Sequence, residues 1–413
     1  MNDDVVAAVA SAHRRDWAQV LATTVRLTRN LDLAEECTQD AYAQALRVWP
    51  ESGVPERPGA WLSRVARNRA LDVVRRETRL RRMLPLLVVD ATTAGPGDDP
   101  GGDDRLRLIF TCCHPALGRE AQVALTLRLV CGLSTAEVAR AFLMREPAMA
   151  ARITRAKRKI AAARIPYRVP AADQLGERVG AVLQVVHLIF TTGHTAPAGP
   201  ALVRRDLTDG AVDLARLLRL LMPGDADVGA LLALLLLNEA RADGRRGPDG
   251  RLLLLCDQDR SRWDAGLIAE GSALLTQALR RRPLSRYAVE AAIAAVHAEA
   301  PSWERTDWTE IAGLYTVLGR MWPGSPVVAL NRAVAIGMRD GPQAGLTALA
   351  PLLDEPALAT YGYLSAARAD FLRRLGRRAE AETAYAEALA LTGNEVERDF
   401  LARRLDDVRA AGR

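Results

Sequence analysis

Cys112, Cys113 and His114, with Cys131 further on, are the side chains most able to hold a metal. Structural zinc needs four ligands, commonly as two spaced pairs. Adjacent cysteines suit that geometry poorly and no second pair completes it, so buried small thiols are the expected role. His297 and Glu299 make an H-x-E, but the P-C-x-x-C partner of a zinc deaminase is missing. The H-E-x-x-H, G-x-S-x-G and dinucleotide patterns are absent too. Residues 91–104, ATTAGPGDDPGGDD, lack the Gly-Lys-Ser/Thr ending of a phosphate loop, and their carboxylates repel anions. The expectation is no catalytic residue, no cofactor and no metal. Recognition by charged helices is the chemistry that remains.

The basic residues are unevenly spread. The 413 residues hold 56 Lys and Arg against 50 Asp and Glu, a net charge of +6, yet residues 105–164 alone hold 12 against 3. A basic block between near-neutral stretches suggests a polyanion met by one module, with a solvated helix face as the alternative. Within it, residues 121–160 read AQVALTLRLVCGLSTAEVARAFLMREPAMAARITRAKRKI. Gly132 can stop a first helix, and Ser134 or Thr135 can cap the next with Glu137 behind it. Val138, Ala139 and Phe142 give that short helix an apolar face. A tight turn is expected over 143–145, and Pro147 suits the first turn of a third helix. Met149 and Ile153 form its inner face, while Arg152, Arg155, Lys157, Arg158 and Lys159 dominate the outer one.

A short helix, a turn and a basic helix make a helix-turn-helix, which seats its second helix in the major groove. Arg145, Glu146, Ala148, Met149 and Arg152, at the start of that helix, are placed for base edges. Arg155, Lys157 and Arg158 are placed to clamp phosphates, giving affinity without sequence information.

The elements that carry these groups are helical nearly throughout. Apolar residues recur at helical spacing, and 86–89 is the sole strand-like run. Aromatics are 5% and Ala and Leu abound, so the expected fold class is all-α. The longest apolar stretches, 228–237 and 252–256, fall far short of the ~20 residues that span a bilayer. Five cysteines and a polar N-terminus lead to the expectation of a reduced, cytoplasmic protein without signal peptide or membrane segment. Four parts are expected: 1–79, a flexible acidic linker over 80–104, the basic domain over 105–165, and a helical array over 171–413. In the array, 369–391 resembles the second half of a tetratricopeptide repeat, with Gly376 at an interhelix turn and Ala381, Tyr385, Ala388 and Leu389 packing the pair. Three to five such pairs would stack into a solenoid with a concave face.

Residues 32–49 form a helix with Leu33, Cys37, Ala41, Ala45 and Val48 along an apolar stripe and an acidic, polar opposite face. After a Pro/Gly-rich loop, 61–77 form a second amphipathic helix with a strongly basic side. The patterns D-x-A-E-E-x-x-Q-D and W-L-x-x-V-A-R-N-x-x-x-D-x-x-R-R resemble region 2 of an extracytoplasmic-function (ECF) RNA polymerase sigma factor. Residues 133–160 resemble region 4 of the same family, with Leu-Ser, Glu137-Val138-Ala139 and Arg152 to Ala156 in register. Together they cover about 1–165. The remainder looks like the tetratricopeptide-like extension of one group of these factors, at HLIFTTGHTA, DQDRSRWD and HAEAPSWERTDW.

The resemblance implies that Glu35, Glu36, Gln39 and Asp40 dock on the core RNA polymerase. It implies that Trp61, Arg64, Asn68, Asp72, Arg75 and Arg76 engage the promoter −10 element, melted to a single strand. The loop over 50–60 would hold a flipped base, the helix-turn-helix would read duplex −35 DNA, and Asp98, Asp99, Asp103 and Asp104 would lie near the RNA exit path. Leu143 and Ala148 replace the family's frequent Gly and Thr, and Pro50, Pro55 and Pro58 crowd the loop, so base preferences do not carry over. The array would regulate activity in cis or bind a protein or peptide ligand. The competing reading is a scaffold or conventional regulator that binds operator DNA on its own. For the cluster Asp257, Gln258, Asp259, Arg260 and Arg262, a contact with another domain or partner competes with a solvated turn.

Overall fold

The computed structural model describes residues 3–83, 103–142, 144–196, 198–281 and 283–410. Eighteen α-helices and two short strands are found among them, so the chain is all-α. It divides into two compact units, Met1–Leu188 and Ile189–Arg413. That division falls inside a helix, well past the expected start of the array at 171.

In the first unit, α1 (Asp3–Thr28), α2 (Leu31–Ser52) and α3 (Pro58–Met83) pack on one another. Small residues permit the close approach: Ala12, Ala34, Ala41, Ala45, Ala66 and Ala70 are fully buried. The Asn30 side chain opens α2 by accepting from the Asp32 and Leu33 amides, which removes two orphan donors. The core face of α2 runs through Leu31, Ala34, Cys37, Thr38, Ala41, Tyr42, Ala45 and Trp49. Leu33 and Val48, expected on that stripe, are only half-buried. The stripe is rotated because Tyr42 and Trp49 fill the gap to α1 and α3.

Four further helices follow: α4 (Asp104–Cys112), α5 (Arg119–Leu125), α6 (Thr135–Ala141) and α7 (Glu146–Ala162). Between α5 and α6 the helix widens into a π turn over Thr126–Val130, which nothing in the sequence pattern announced. Most of the expected linker, with the run 86–89, Asp98 and Asp99, lies outside the described residues, as does Leu143 of the expected turn. Its two ends are not linker: residues 80–83 continue α3, and Asp103 caps α4 by accepting from the Arg105 amide. Asp104 pairs with Arg26 at 3.0 Å and Arg107 at 2.5 Å. Both acids are thus engaged within the fold. Tyr167 then ties the unit together, its hydroxyl donating to the carbonyls of Ala22 at 2.8 Å and Asp104 at 3.1 Å. Helix α8 (Ala172–His194) follows, and in its first half Arg178 donates to the Phe110 carbonyl at 2.7 Å.

The second unit holds α9 (Arg205–Leu221), α10 (Ala226–Glu239), α11 (Ala265–Leu279), α12 (Arg286–Glu299), α13 (Trp308–Met321), α14 (Pro326–Asp340), α15 (Pro342–Leu349), α16 (Gly362–Arg374), α17 (Arg378–Leu391) and α18 (Glu395–Ala410). Most pack chiefly on their neighbours in sequence, as in a repeat array, while α12 packs most extensively on α10. Helix α10 is buried on every face from Val228 to Leu237, which explains its continuous apolar run. The pair α16–α17 turns at Gly376, whose φ of 74° suits glycine; Ala381 and Ala388 are fully buried and Tyr385 nearly so.

The array is not an open solenoid. Strand β1 (Ala198–Gly199) pairs in parallel with β2 (Gly393–Asn394). The Asn394 side chain donates to the Ala196 carbonyl at 3.1 Å and the Ala201 carbonyl at 2.8 Å, 198 and 193 positions away. First and last segments of the array are thereby joined.

Candidate nucleic-acid interface

Helix α3 presents Arg64, Asn68, Asp72, Arg75 and Arg76 on an exposed stripe at spacings of three and four residues, one face of a helix. Trp61 heads that stripe, half-buried, its ring 5.5 Å from that of Trp49 in an edge-on arrangement. The apolar side of Trp61 is thus fixed by α2. Arg69, on the neighbouring face, pairs with Asp40 at 3.1 Å and locks α3 onto α2.

The loop before α3 is shorter than expected. Helix α2 winds through Pro50 to Ser52, where the Gly53 amide closes it on the Trp49 carbonyl at φ 81°, and α3 begins at Pro58. A cavity of about 720 Å³ opens beside this 53–57 loop, with Arg15, Gln19, Arg57 and Ser63 among its lining. Gly59 approaches the Asp16 carboxylate so closely that a Cβ there would lie 2.7 Å from its Cγ.

The helix-turn-helix forms by the local signals in its sequence. Ser134 and Glu137 make a reciprocal capping box, with the Ser134 amide donating to Glu137 at 2.7 Å and the Glu137 amide to Ser134 at 3.2 Å. Gly132 ends the preceding turn at φ 74°, and a Cβ there would meet His13 at 3.0 Å and Trp17 at 3.1 Å. Pro147 sits in the first turn of α7. Arg145, Arg155, Arg158 and Lys159 are exposed, and Ala148 is half-buried. Arg152 lies over the Phe142 ring at 5.7 Å and pairs with Glu120 at 2.7 Å, so its guanidinium is already oriented.

Two expected contacts are placed elsewhere. Met149 is fully buried and cannot meet a base edge; it belongs with Ile153 in the core beneath the helix. Lys157 is turned away from the outer face: its ammonium pairs with Asp32 at 2.7 Å and Glu35 at 2.6 Å, and its side chain is 9% exposed. Glu35 also pairs with Arg128. Of the four residues expected to dock on polymerase, Glu36 and Gln39 are exposed and Asp40 half-exposed, but Glu35 is covered by the basic domain. The same contact is sealed by Trp17, whose indole N–H donates to the Leu129 carbonyl at 3.1 Å. Sequence reasoning missed α1 as the partner of this contact, although His13 and Trp17 in a helix beside Tyr42 were its visible signal.

Cys112 and Cys113 are fully buried, and burial pushes the Cys113 thiol up to about 11. In the second unit, Arg260 donates to the His297 carbonyl at 3.0 Å and lies 4.7 Å over the Trp263 ring, so this member of the polar cluster holds the end of α12 in place. No described helix is long and apolar enough to cross a membrane.

Three stretches of the chain match known families. Residues 13–80 match the family described as sigma-70 region 2, and residues 107–160 match sigma-70 region 4. Residues 178–279 match a family of unknown function, DUF6596. A protein of Rhizobium meliloti (strain 1021), described as uncharacterized, is 44% identical over 399 residues, covering 95% of this chain and 94% of its own. No solved structure matches.

Proposed function

Because the chain belongs to the sigma-70 family, as an ECF-like member with a C-terminal extension, we propose that it is an ECF-type sigma factor whose second unit regulates it in cis. It binds core RNA polymerase, directs initiation at a −10/−35 promoter, and leaves the chemistry to the polymerase. The observation that carries this reading is the exposed Arg64, Asn68, Asp72, Arg75 and Arg76 stripe on α3, ahead of a capped helix-turn-helix. The stripe suits a melted −10 strand, where stacking and cations act together. The cavity beside the 53–57 loop suits one flipped base. Arg145, Arg152, Arg155 and Arg158 suit the −35 duplex, by edge contact and phosphate contact respectively.

The docking helix α2 and the −35 helix α7 meet through Glu35 and Lys157, so free protein holds its two recognition surfaces against each other. Engaging polymerase separates them. The second unit sets how readily this happens.

Transcription of fragmented genomic DNA by core polymerase, with and without the protein, tests the reading. New transcripts sharing one −35/−10 pair are expected. A footprint on duplex operator by the protein alone, with core binding absent, overturns it in favour of a conventional regulator. Truncation after Leu188, which spares the Arg178 contact with Phe110, reports the regulatory sign: higher activity than the full chain means masking, and lost activity means a positive role.

A further inference from the structure

The second unit encloses a cavity of about 750 Å³ between α12–α14 on one side and α16–α18 on the other. Segment 252–256 completes its wall, so parts of the array far apart in sequence bound one space. Its volume is that of a small-molecule site, which typically spans ~300–1,000 Å³. Trp303 and Trp308, their rings edge-on at 5.1 Å, give it an aromatic wall together with Tyr315 and Phe371.

The polar groups in this cavity are unevenly satisfied. Asp370 is held by Arg373 at 2.7 Å, and Glu397 accepts from the Tyr363 hydroxyl at 2.6 Å. Arg374, exposed, donates to the Met338 sulfur at 3.4 Å and lies over the Phe371 ring at 5.9 Å, and Arg404, half-buried, lies over the Phe400 ring at 5.3 Å; neither has a carboxylate partner among the described residues. Two lining atoms, His297 Nδ1 and Arg373 Nε, are buried without any hydrogen bond. Buried polar atoms of this kind are uncommon in native folds and call for a partner. Burial of the His297 ring, with the charges of Arg241 and Arg260, brings its pKa down to about 3, so the imidazole is neutral.

We propose that this cavity binds a small amphipathic organic anion: an aromatic or alicyclic body against Trp303, Trp308 and Phe371, with one carboxylate or comparable acidic group met by Arg374 and Arg404. Such a ligand supplies an acidic partner for Arg374 and Arg404, since Asp370 is engaged by Arg373 and Glu397 by the Tyr363 hydroxyl. The site stands on the second unit alone and holds whether or not the promoter reading does.

The full chain is titrated with anilinonaphthalene sulfonate, an aromatic anion, and its fluorescence is read by energy transfer from tryptophan. Saturable binding of one probe per chain is expected. Indole acetate should displace it at least tenfold better than indole ethanol, which has the same body without the charge, since a hydrogen bond to a charged group is worth roughly one such decade or more. Arg404→Ala should weaken the probe about tenfold with an unchanged unfolding temperature, and Arg404→Lys should keep most of the affinity. Arg374→Gln serves the same purpose should Arg404→Ala unfold. Absent saturation, equal displacement by acid and alcohol, or full affinity in both arginine variants overturns the proposal. Displacement by peptides where neither indole competes overturns the small-molecule class.

Discussion

Lys157 Nζ sits 2.6 Å from Glu35 Oε2 and 2.7 Å from Asp32 Oδ1, across 122 and 125 positions of sequence. An ammonium from the helix that should face DNA thus neutralises carboxylates on the helix that should face polymerase. A buried pair of this kind adds little net stability against its desolvation, yet removing one partner is strongly destabilising. It therefore specifies an arrangement.

Lys157→Ala releases one side of this contact and leaves Glu35 paired with Arg128. Affinity for core polymerase, followed by anisotropy of labelled protein, should rise by up to about tenfold, or ~1.4 kcal/mol. Glu35→Gln breaks the same contact from its other side, so core affinity should again rise, and the unfolding temperature should fall, since Arg128 loses its carboxylate and Lys157 keeps only the exposed Asp32. Equal core affinity in all three proteins would remove the closed arrangement from the mechanism.

On the DNA side, Arg155→Ala and Arg158→Ala should each weaken duplex binding uniformly across sequences and reduce the salt slope by about one. Arg145→Ala, at the N-cap of the recognition helix, should instead relax sequence preference by about 1–3 kcal/mol at one position. Titrations at several salt concentrations on matched and mismatched −35 duplexes separate the two effects.

Stability of the second unit should depend on pH from both sides. Burial raises Glu290 to about 7, against the lowering effect of Arg286. The folded state therefore holds a proton that the unfolded chain has released. Stability is full below the ordinary glutamate range and is lost as pH rises from there to about 7. Glu290→Gln should raise the unfolding temperature at pH 8 and leave it unchanged at pH 4. His194 and His297 act oppositely: burial and neighbouring arginines lower both to about 3. Their contribution is present above the ordinary histidine value of 6.5 and is lost as pH falls from there towards 3. His297→Gln should flatten that acid limb in thermal melts.

Gly337 in α14 and Gly345 in α15 both lie against Phe371 of α16, and a Cβ at either would overlap the ring. Overpacking of this kind costs about 1–3 kcal/mol. Gly337→Ala should lower the unfolding temperature, and Phe371→Leu in the same chain should recover part of the loss. A melt in which the double variant is no better than Gly337→Ala alone would place the strain elsewhere.

What was legible in the sequence was local. Gly132, Ser134, Glu137 and Pro147 act within a few residues of themselves, and each marks the boundary it was expected to mark. The stripe on α3 follows from helical spacing alone. The misreadings arose from longer-range causes. Lys157, four residues past the buried Ile153, borders the core face of α7 while Arg158 points away from it, but that its ammonium is taken up by an ion pair follows only from α2, 122 positions away. Pro50 reads as a loop residue because proline usually ends a helix, yet α2 runs two residues past it to Ser52 before Gly53 closes it. Met149 was assigned both to the inner face and to base contact; one side chain cannot do both, and burial decided.

Joining β1 to β2 changes what damage to the array means. In an open stack, loss of a terminal repeat removes one repeat and one interface. Here loss of residues from 393 onward also takes away the partners of Ala196 and Ala201 near the array's beginning. A nascent chain cannot complete this unit until its last helices have left the ribosome, whereas the first unit, ending at Leu188, has all its parts much earlier. During synthesis there is consequently an interval in which the nucleic-acid-facing half can be folded while its companion is not.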